Sequence, residues 1–193
     1  MLFRASLAST VLLLAGACGQ AETTPKDEPT TDASPSASEP TEPASLDTTV
    51  IEPGKVGPFV VGMAASEALE KGLVRQPSEE DPCPAFAATE PFQDVAVVFS
   101  ASEPKPELLG VLVKVKGPKT AEGIAVGSSI ADAKTAYGDQ LREEEGDYGD
   151  TVLRLYDGDR AMGFSSSAGM GPKAKIDAIE VFAKSEPVVW DGC

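Results

Sequence analysis

Apolar and polar residues alternate with a period of two along the second half of the chain, and that period predicts strands. Thr151–Asp157 and Arg160–Ser165 are two such runs, with Gly158-Asp159 between them as a two-residue hairpin turn. Setting Leu155 opposite Met162 and Leu153 opposite Phe164 gathers four apolar side chains on one face. A slip of one residue would turn all of them outward, so the pattern fixes the register. Arg154 and Tyr156 then point the other way. Extended segments are also predicted over 94–100, 109–116 and 176–183. In 109–116, Val111, Val113 and Val115 alternate with Leu112, Lys114 and Lys116, the mark of a strand with one wet face.

Two segments break this rhythm in the same way. Val56-Gly-Pro-Phe59-Val-Val61-Gly62-Met63-Ala-Ala-Ser66-Glu67-Ala68 recurs 65 residues later as Ala121-Glu-Gly-Ile124-Ala-Val126-Gly127-Ser128-Ser-Ile-Ala131-Asp132-Ala133. Phe59 matches Ile124, Val61 matches Val126, Gly62 matches Gly127 and Ala68 matches Ala133. Each copy runs from an apolar stretch to a glycine, then to a small residue that caps a helix of two or three turns with an acid near its start. The helices are predicted over 65–71 and Ile130–Tyr137, with Gly72 and Gly138 closing them in a left-handed conformation. The fold class expected is α+β: two helix-then-antiparallel-sheet repeats, 48–118 and 119–193, side by side in one domain.

The two helix starts carry a resemblance. Val60-Val61-Gly62-Met63-Ala64-Ala65-Ser66-Glu67-Ala68, and less closely Val126-Gly127-Ser128-Ser129-Ile130-Ala131-Asp132-Ala133, are similar to the apolar-x-x-Gly-Met-Thr-x-x-Glu-Val opening of each unit in β-lactamase inhibitor proteins and in a small outer-membrane assembly lipoprotein. The resemblance implies helices on one face of a curved sheet whose other face meets a partner. It carries over no β-lactamase target, because no partner-contact residues can be matched. An unrelated α+β domain with a coincidental Gly-Met-x-x-x-Glu is the alternative.

The beginning of the chain reads differently. Arg4 precedes a mostly apolar run from Ala5 to Ala15, too short to remain as a membrane-spanning helix. Leu12-Leu13-Leu14-Ala15-Gly16-Ala17-Cys18 resembles the lipobox of bacterial lipoproteins. The resemblance implies that residues 1–17 are a signal peptide and that Cys18 becomes a lipidated N-terminus, held on the membrane by acyl chains at about 0.8 kcal/mol per buried methylene. An ordinary cleaved signal or a buried apolar helix would leave that ending unexplained. Residues 18–47 are rich in threonine, serine, proline and acid, with prolines at 25, 29, 35, 40 and 43, no aromatic and only Leu46 as a large aliphatic residue. Such a composition predicts a disordered, self-repelling linker spanning at least ~30 Å. Its Ser/Thr/Pro content is also compatible with O-glycosylation.

Charge narrows the partners. The chain carries a formal net charge of −15, and from Thr48 onward 24 acidic residues face 14 basic ones. Nucleic acid is excluded as a partner, since Lys114, Lys116 and Lys119 do not make a basic stripe. Once Cys18 is set aside, two cysteines remain, Cys83 and Cys193. In an oxidising compartment they predict one disulfide, closing a loop of about 110 residues worth roughly 4 to 5 kcal/mol in the chain-entropy view. Two free thiols or a metal pair are the alternatives.

Catalytic equipment is thin. There is no histidine, which removes Ser/His and Cys/His nucleophiles and imidazole zinc sites. The run Glu143-Glu144-Glu145-Gly146-Asp147-Tyr148-Gly149-Asp150 reads as an exposed acidic loop. Asp157-Gly158-Asp159 lacks the later ligands of a calcium loop. Ser165-Ser166-Ser167 has no neighbouring base, and Gly169-Met170-Gly171-Pro172 lacks the Lys-Ser/Thr of a phosphate loop. No catalytic residue, metal or cofactor is expected. The strand alternation nominates Lys114, Arg154, Tyr156, Glu180 and Phe182 as a shared face with the chemistry of a partner-binding hot spot. Alternatively, Tyr156 and Phe182 close the edge of the core. The expectation is a monomeric, extracytoplasmic, membrane-anchored module that binds an envelope protein or peptide. The rivals are a carboxylate-dependent envelope enzyme, such as a glycan hydrolase, and a ligand-sensing lipoprotein.

Overall fold

A computed structural model describes residues 45–78, 85–101, 104–146 and 149–184. Cys18, Cys83 and Cys193 lie outside the described residues, as do the signal, most of the linker and both ends of the expected disulfide.

The domain is mostly β, and this corrects the expected pair of helix-and-sheet repeats. The chain runs through β1 (Val50–Glu52), β2 (Lys55–Val56), β3 (Phe59–Val60), α1 (Ala65–Glu70), β4 (Val74–Arg75), β5 (Ala87–Ala88), β6 (Val95–Phe99) and β7 (Leu108–Val113). It continues with β8 (Lys119–Thr120), α2 (Ile130–Tyr137), β9 (Arg142–Glu145), β10 (Thr151–Asp157), β11 (Arg160–Ser165) and β12 (Ala178–Ala183). The strands form three sheets. The largest has six strands in the order β6-β7-β12-β11-β10-β9; a second is ordered β3-β2-β1-β8, and β4 pairs with β5.

The repeats fail as separate units because the halves share their sheets. β7 of the first half pairs antiparallel with β12 of the second, Val111 opposite Val181, and β1 runs parallel to β8. Neither half forms either of the two larger sheets alone; only the two-stranded β4–β5 ribbon lies within one half among the described residues. The helices are also too small to cover one each: α1 has six residues, and its N-cap, Ala64, offers no side-chain acceptor. α2 has eight and a full capping box, in which Ser129 Oγ accepts from the Asp132 amide at 3.1 Å and Asp132 Oδ2 accepts from the Ser129 amide at 2.9 Å.

What does repeat is the turn before each helix. Gly62 and Gly127 both have positive φ, 88° and 94°, which a side chain rarely tolerates. Their amides donate to Leu108 O and Ile176 O, each at 2.8 Å, while the Ala65 and Ile130 amides donate to Pro106 O and Ala174 O. The matched sequences therefore build matched turns that dock on different segments, those leading into β7 and β12.

The hairpin has the register that its pattern dictates: Leu155 pairs with Met162 and Leu153 with Phe164. These four, with Val97, Val111, Val113, Ile179 and Val181, form the inner face of the six-stranded sheet and pack with Ile130, Ala133 and Tyr137 of α2 and Ala68 of α1 in one apolar cluster. The rings of Phe59 and Phe92 meet edge-on at 5.4 Å, and those of Tyr137 and Phe164 lie 5.8 Å apart. Each buried aliphatic or aromatic side chain contributes about 1.5–3 kcal/mol.

Candidate partner-binding face

The opposite face of the six-stranded sheet has a core of its own, made among the described residues from sheet residues. Ala161 and Phe182 are buried there, with Val98, Leu109 and Tyr156 packed around them. Cross-strand pairing sets the order of the side chains. One row runs Leu112, Glu180, Gly163, Arg154, Arg142, and the next runs Gly110, Phe182, Ala161, Tyr156. The small residues of β11 let longer side chains from β10 and β12 meet above it. A Cβ on Gly163 would sit 2.6 Å from Glu180 Oε1, so Glu180 lies across the space a side chain would fill. The Arg154 guanidinium crosses β11 and stacks over the Phe182 ring at 5.3 Å.

Of the five residues nominated from sequence, four come together: Arg154, Tyr156, Glu180 and Phe182. Phe182 is only 3 % exposed, so it is the floor beneath Arg154 rather than a contact surface. Tyr156 is half-buried. Lys114 falls elsewhere. It lies just past the end of β7 and lines an open cleft of about 670 Å³ with Asp150, Thr151, Ser165, Ser167 and Asp177. In that cleft the Ser167 amide and hydroxyl both donate to Asp177 Oδ2 at 2.6 Å. These bonds, the hydroxyl first, hold the Asp177 carboxyl below its ordinary pKa. Ser167 is thus engaged in closing a turn.

Three residues of the face were not nominated from sequence. Glu144 Oε2 accepts from the Tyr156 hydroxyl at 2.7 Å and from Arg154 Nη1 at 3.3 Å. Arg142 and Lys184 flank the Tyr156 ring, 5.7 and 5.2 Å from its centre. The acidic run read as a loop starts instead as a strand, since Glu143, Glu144 and Glu145 pair with Leu153, Val152 and Thr151. An available backbone partner overrides weak strand propensity, and an edge position leaves the carboxylates in water. The signal lay in the spacing: Arg142 and Glu144 are two apart and share a face with Arg154.

Burial works against the Arg154 cation, but the Tyr156 hydroxyl and the Glu180 and Glu144 carboxylates outweigh it and raise its pKa. Burial, then the bond to Glu144, raises that of Tyr156. Arg154 Nε is buried without an acceptor among the described residues. Also among the described residues, no cluster of three or more His, Cys, Asp or Glu side chains is placed to hold a metal. No helix there is long and apolar enough to cross a membrane.

The chain matches no protein-family model, no curated protein and no solved structure. Its chemistry is therefore read from this face and from the motif at Cys18.

Proposed function

We propose that the chain is a lipid-tethered module of the bacterial cell envelope, outside the cytoplasm, and that it binds an envelope protein or peptide without catalysing a reaction. The supporting observation is the face around Tyr156. It carries a half-buried aromatic ring, arginines and a lysine on a rigid sheet, the residue types enriched where partners dock. Among the described residues its apolar cluster contains no helix residue, whereas the inner face packs against both helices. Ala15-Gly16-Ala17-Cys18 supports the tether and the location. Cys83 and Cys193 would then sit where a disulfide persists.

A photoreactive crosslinker at residue 156 of the chain expressed in cells tests the binding. One discrete adduct that is lost on competition by the unmodified protein is expected, and absence of any discrete adduct overturns the reading. Detergent partitioning of Cys18→Ser tests the tether: the variant should leave the membrane fraction, and full retention would refute lipidation at Cys18.

A further inference from the structure

Two arginines stand directly opposite one another across β9 and β10: Arg142 pairs with Arg154. Directly opposed like charges destabilise a strand pair. Lys184 adds a third cation on the far side of the Tyr156 ring. Arg142 and Lys184 are exposed and form no ion pair among the described residues. Among the described residues, Glu144 and Glu180 are the carboxylates set against the three cations on this face. The surrounding domain has an excess of ten acidic residues, so here its charge balance is locally reversed.

We infer that this face takes an acidic partner segment: an extended peptide whose carboxylates are read by Arg142, Arg154 and Lys184, with the Tyr156 ring as its apolar wall. The inference rests on the binding role proposed above and names the partner's chemistry. Complementary charge steers encounter and rejects partners of the wrong sign. The guanidinium of Arg142 suits a carboxylate, which it can meet with two parallel hydrogen bonds. Arg154 is held flat by Phe182 and Glu144, so it presents a fixed charge with little ordering left to lose. A polyanion is disfavoured: three cations do not offset the repulsion between a nucleic acid or an anionic bilayer and a chain of net charge −15. A short acidic segment meets only the local patch, within about one screening length of 8–10 Å.

The test uses the full-length chain in neutral detergent micelles and fluorescence anisotropy. The probes are a labelled peptide of about ten residues alternating Glu and Ala and its Lys–Ala counterpart, whose extended length of about 33 Å is more than the roughly 15 Å that separates β9 from β12. The Glu peptide should bind, weakening as salt rises, and the Lys peptide should not. The variant carrying Arg142→Gln and Lys184→Gln, both at exposed positions, should lose affinity roughly tenfold or more while keeping the wild-type circular dichroism. Equal binding of the two peptides, no binding of either, or an unchanged affinity in the double variant overturns the inference. So does capture by vesicles of anionic lipid in the absence of peptide binding. A discrete crosslink from residue 156 to a neutral or basic segment would sink the acidic partner and leave the binding role standing; absence of any crosslink would sink the binding role itself.

Discussion

Glu180 lies over Gly163, where the missing side chain leaves room for it, and its carboxylate charge favours the Arg154 cation. In Gly163→Ala the new methyl would meet Glu180 Oε1 at 2.6 Å and Cγ at 2.9 Å. The carboxylate must swing away and Arg154 loses one of its two carboxylates. We expect a loss of about 1 kcal/mol by urea denaturation, the low end of overpacking costs. A change of similar size should follow Tyr137→Phe at neutral pH, where the phenol donates to Glu122 Oε2. That bond is the main reason the Glu122 carboxyl sits below its ordinary pKa, so the substitution should return it toward the ordinary value in an NMR titration. The phenol itself is shifted the other way, chiefly by burial and then by Glu122. Its folded pKa exceeds the unfolded value near 10, so the unfolded chain gives up that proton first. The contribution is whole below about pH 10 and declines as pH rises through the folded value. The melting temperature should therefore fall more steeply with alkaline pH in the wild type than in Tyr137→Phe.

Among the elements, α2 depends most on a single side chain. Ser129→Ala removes the acceptor for the Asp132 amide and breaks the side-chain half of the capping box, leaving the residue-129 amide on Asp132 Oδ2, at a cost of about 1 kcal/mol by chemical denaturation. The Ser129 bonds, the side-chain one first, hold the Asp132 carboxyl below its ordinary pKa. Its stabilising effect is therefore present above about pH 4 and fades as pH falls through the lower folded value, a fade that should be smaller in the alanine variant, which keeps only the backbone bond. This helix and the β10–β11 hairpin were legible because each is decided locally. A glycine turn and a cap set the first; Gly158-Asp159 with strict alternation sets the second, register included. The assembly of the sheet was not legible. Alternation tells which side of a strand faces the core but not which strand lies beside it, so the β7–β12 and β1–β8 pairings had no local signal. Strands of two or three residues, such as β1 to β3, are too short to show a period. Lys114 joins the outer sheet face only if the period of β7 is extended past Val113, where the strand stops. Arg154 and Tyr156 were found because the hairpin was found. Glu144 escaped because an acidic run resembles solvated loop until its partner strand is known.

For the molecule as a whole, the two edges of the six-stranded sheet differ in kind, and that difference sets how the domain meets other copies of itself. β9 carries Arg142, Glu143, Glu144 and Glu145, a charged edge that resists pairing. β6 is Val95-Ala96-Val97-Val98-Phe99, uncharged along its length, and no described strand pairs with its outer side. We expect the net charge of −15 to keep two such edges apart at neutral pH. That charge vanishes as pH approaches 4.3, the isoelectric point of the sequence. We expect a monomer at pH 7 by analytical ultracentrifugation and reversible association as pH falls toward that point, with strand content retained in circular dichroism. Ala96→Lys puts a cation at an exposed position on the β6 edge and should suppress the association at equal pH, even though it brings the net charge closer to zero. Glu143→Val instead strips one charge from the β9 edge and should promote it. Association that ignores Ala96→Lys would place the contact somewhere other than β6. The opposing directions matter because the lysine lowers the overall repulsion while protecting the edge, so a rise in association would mean that net charge governs, and a fall that the edge does.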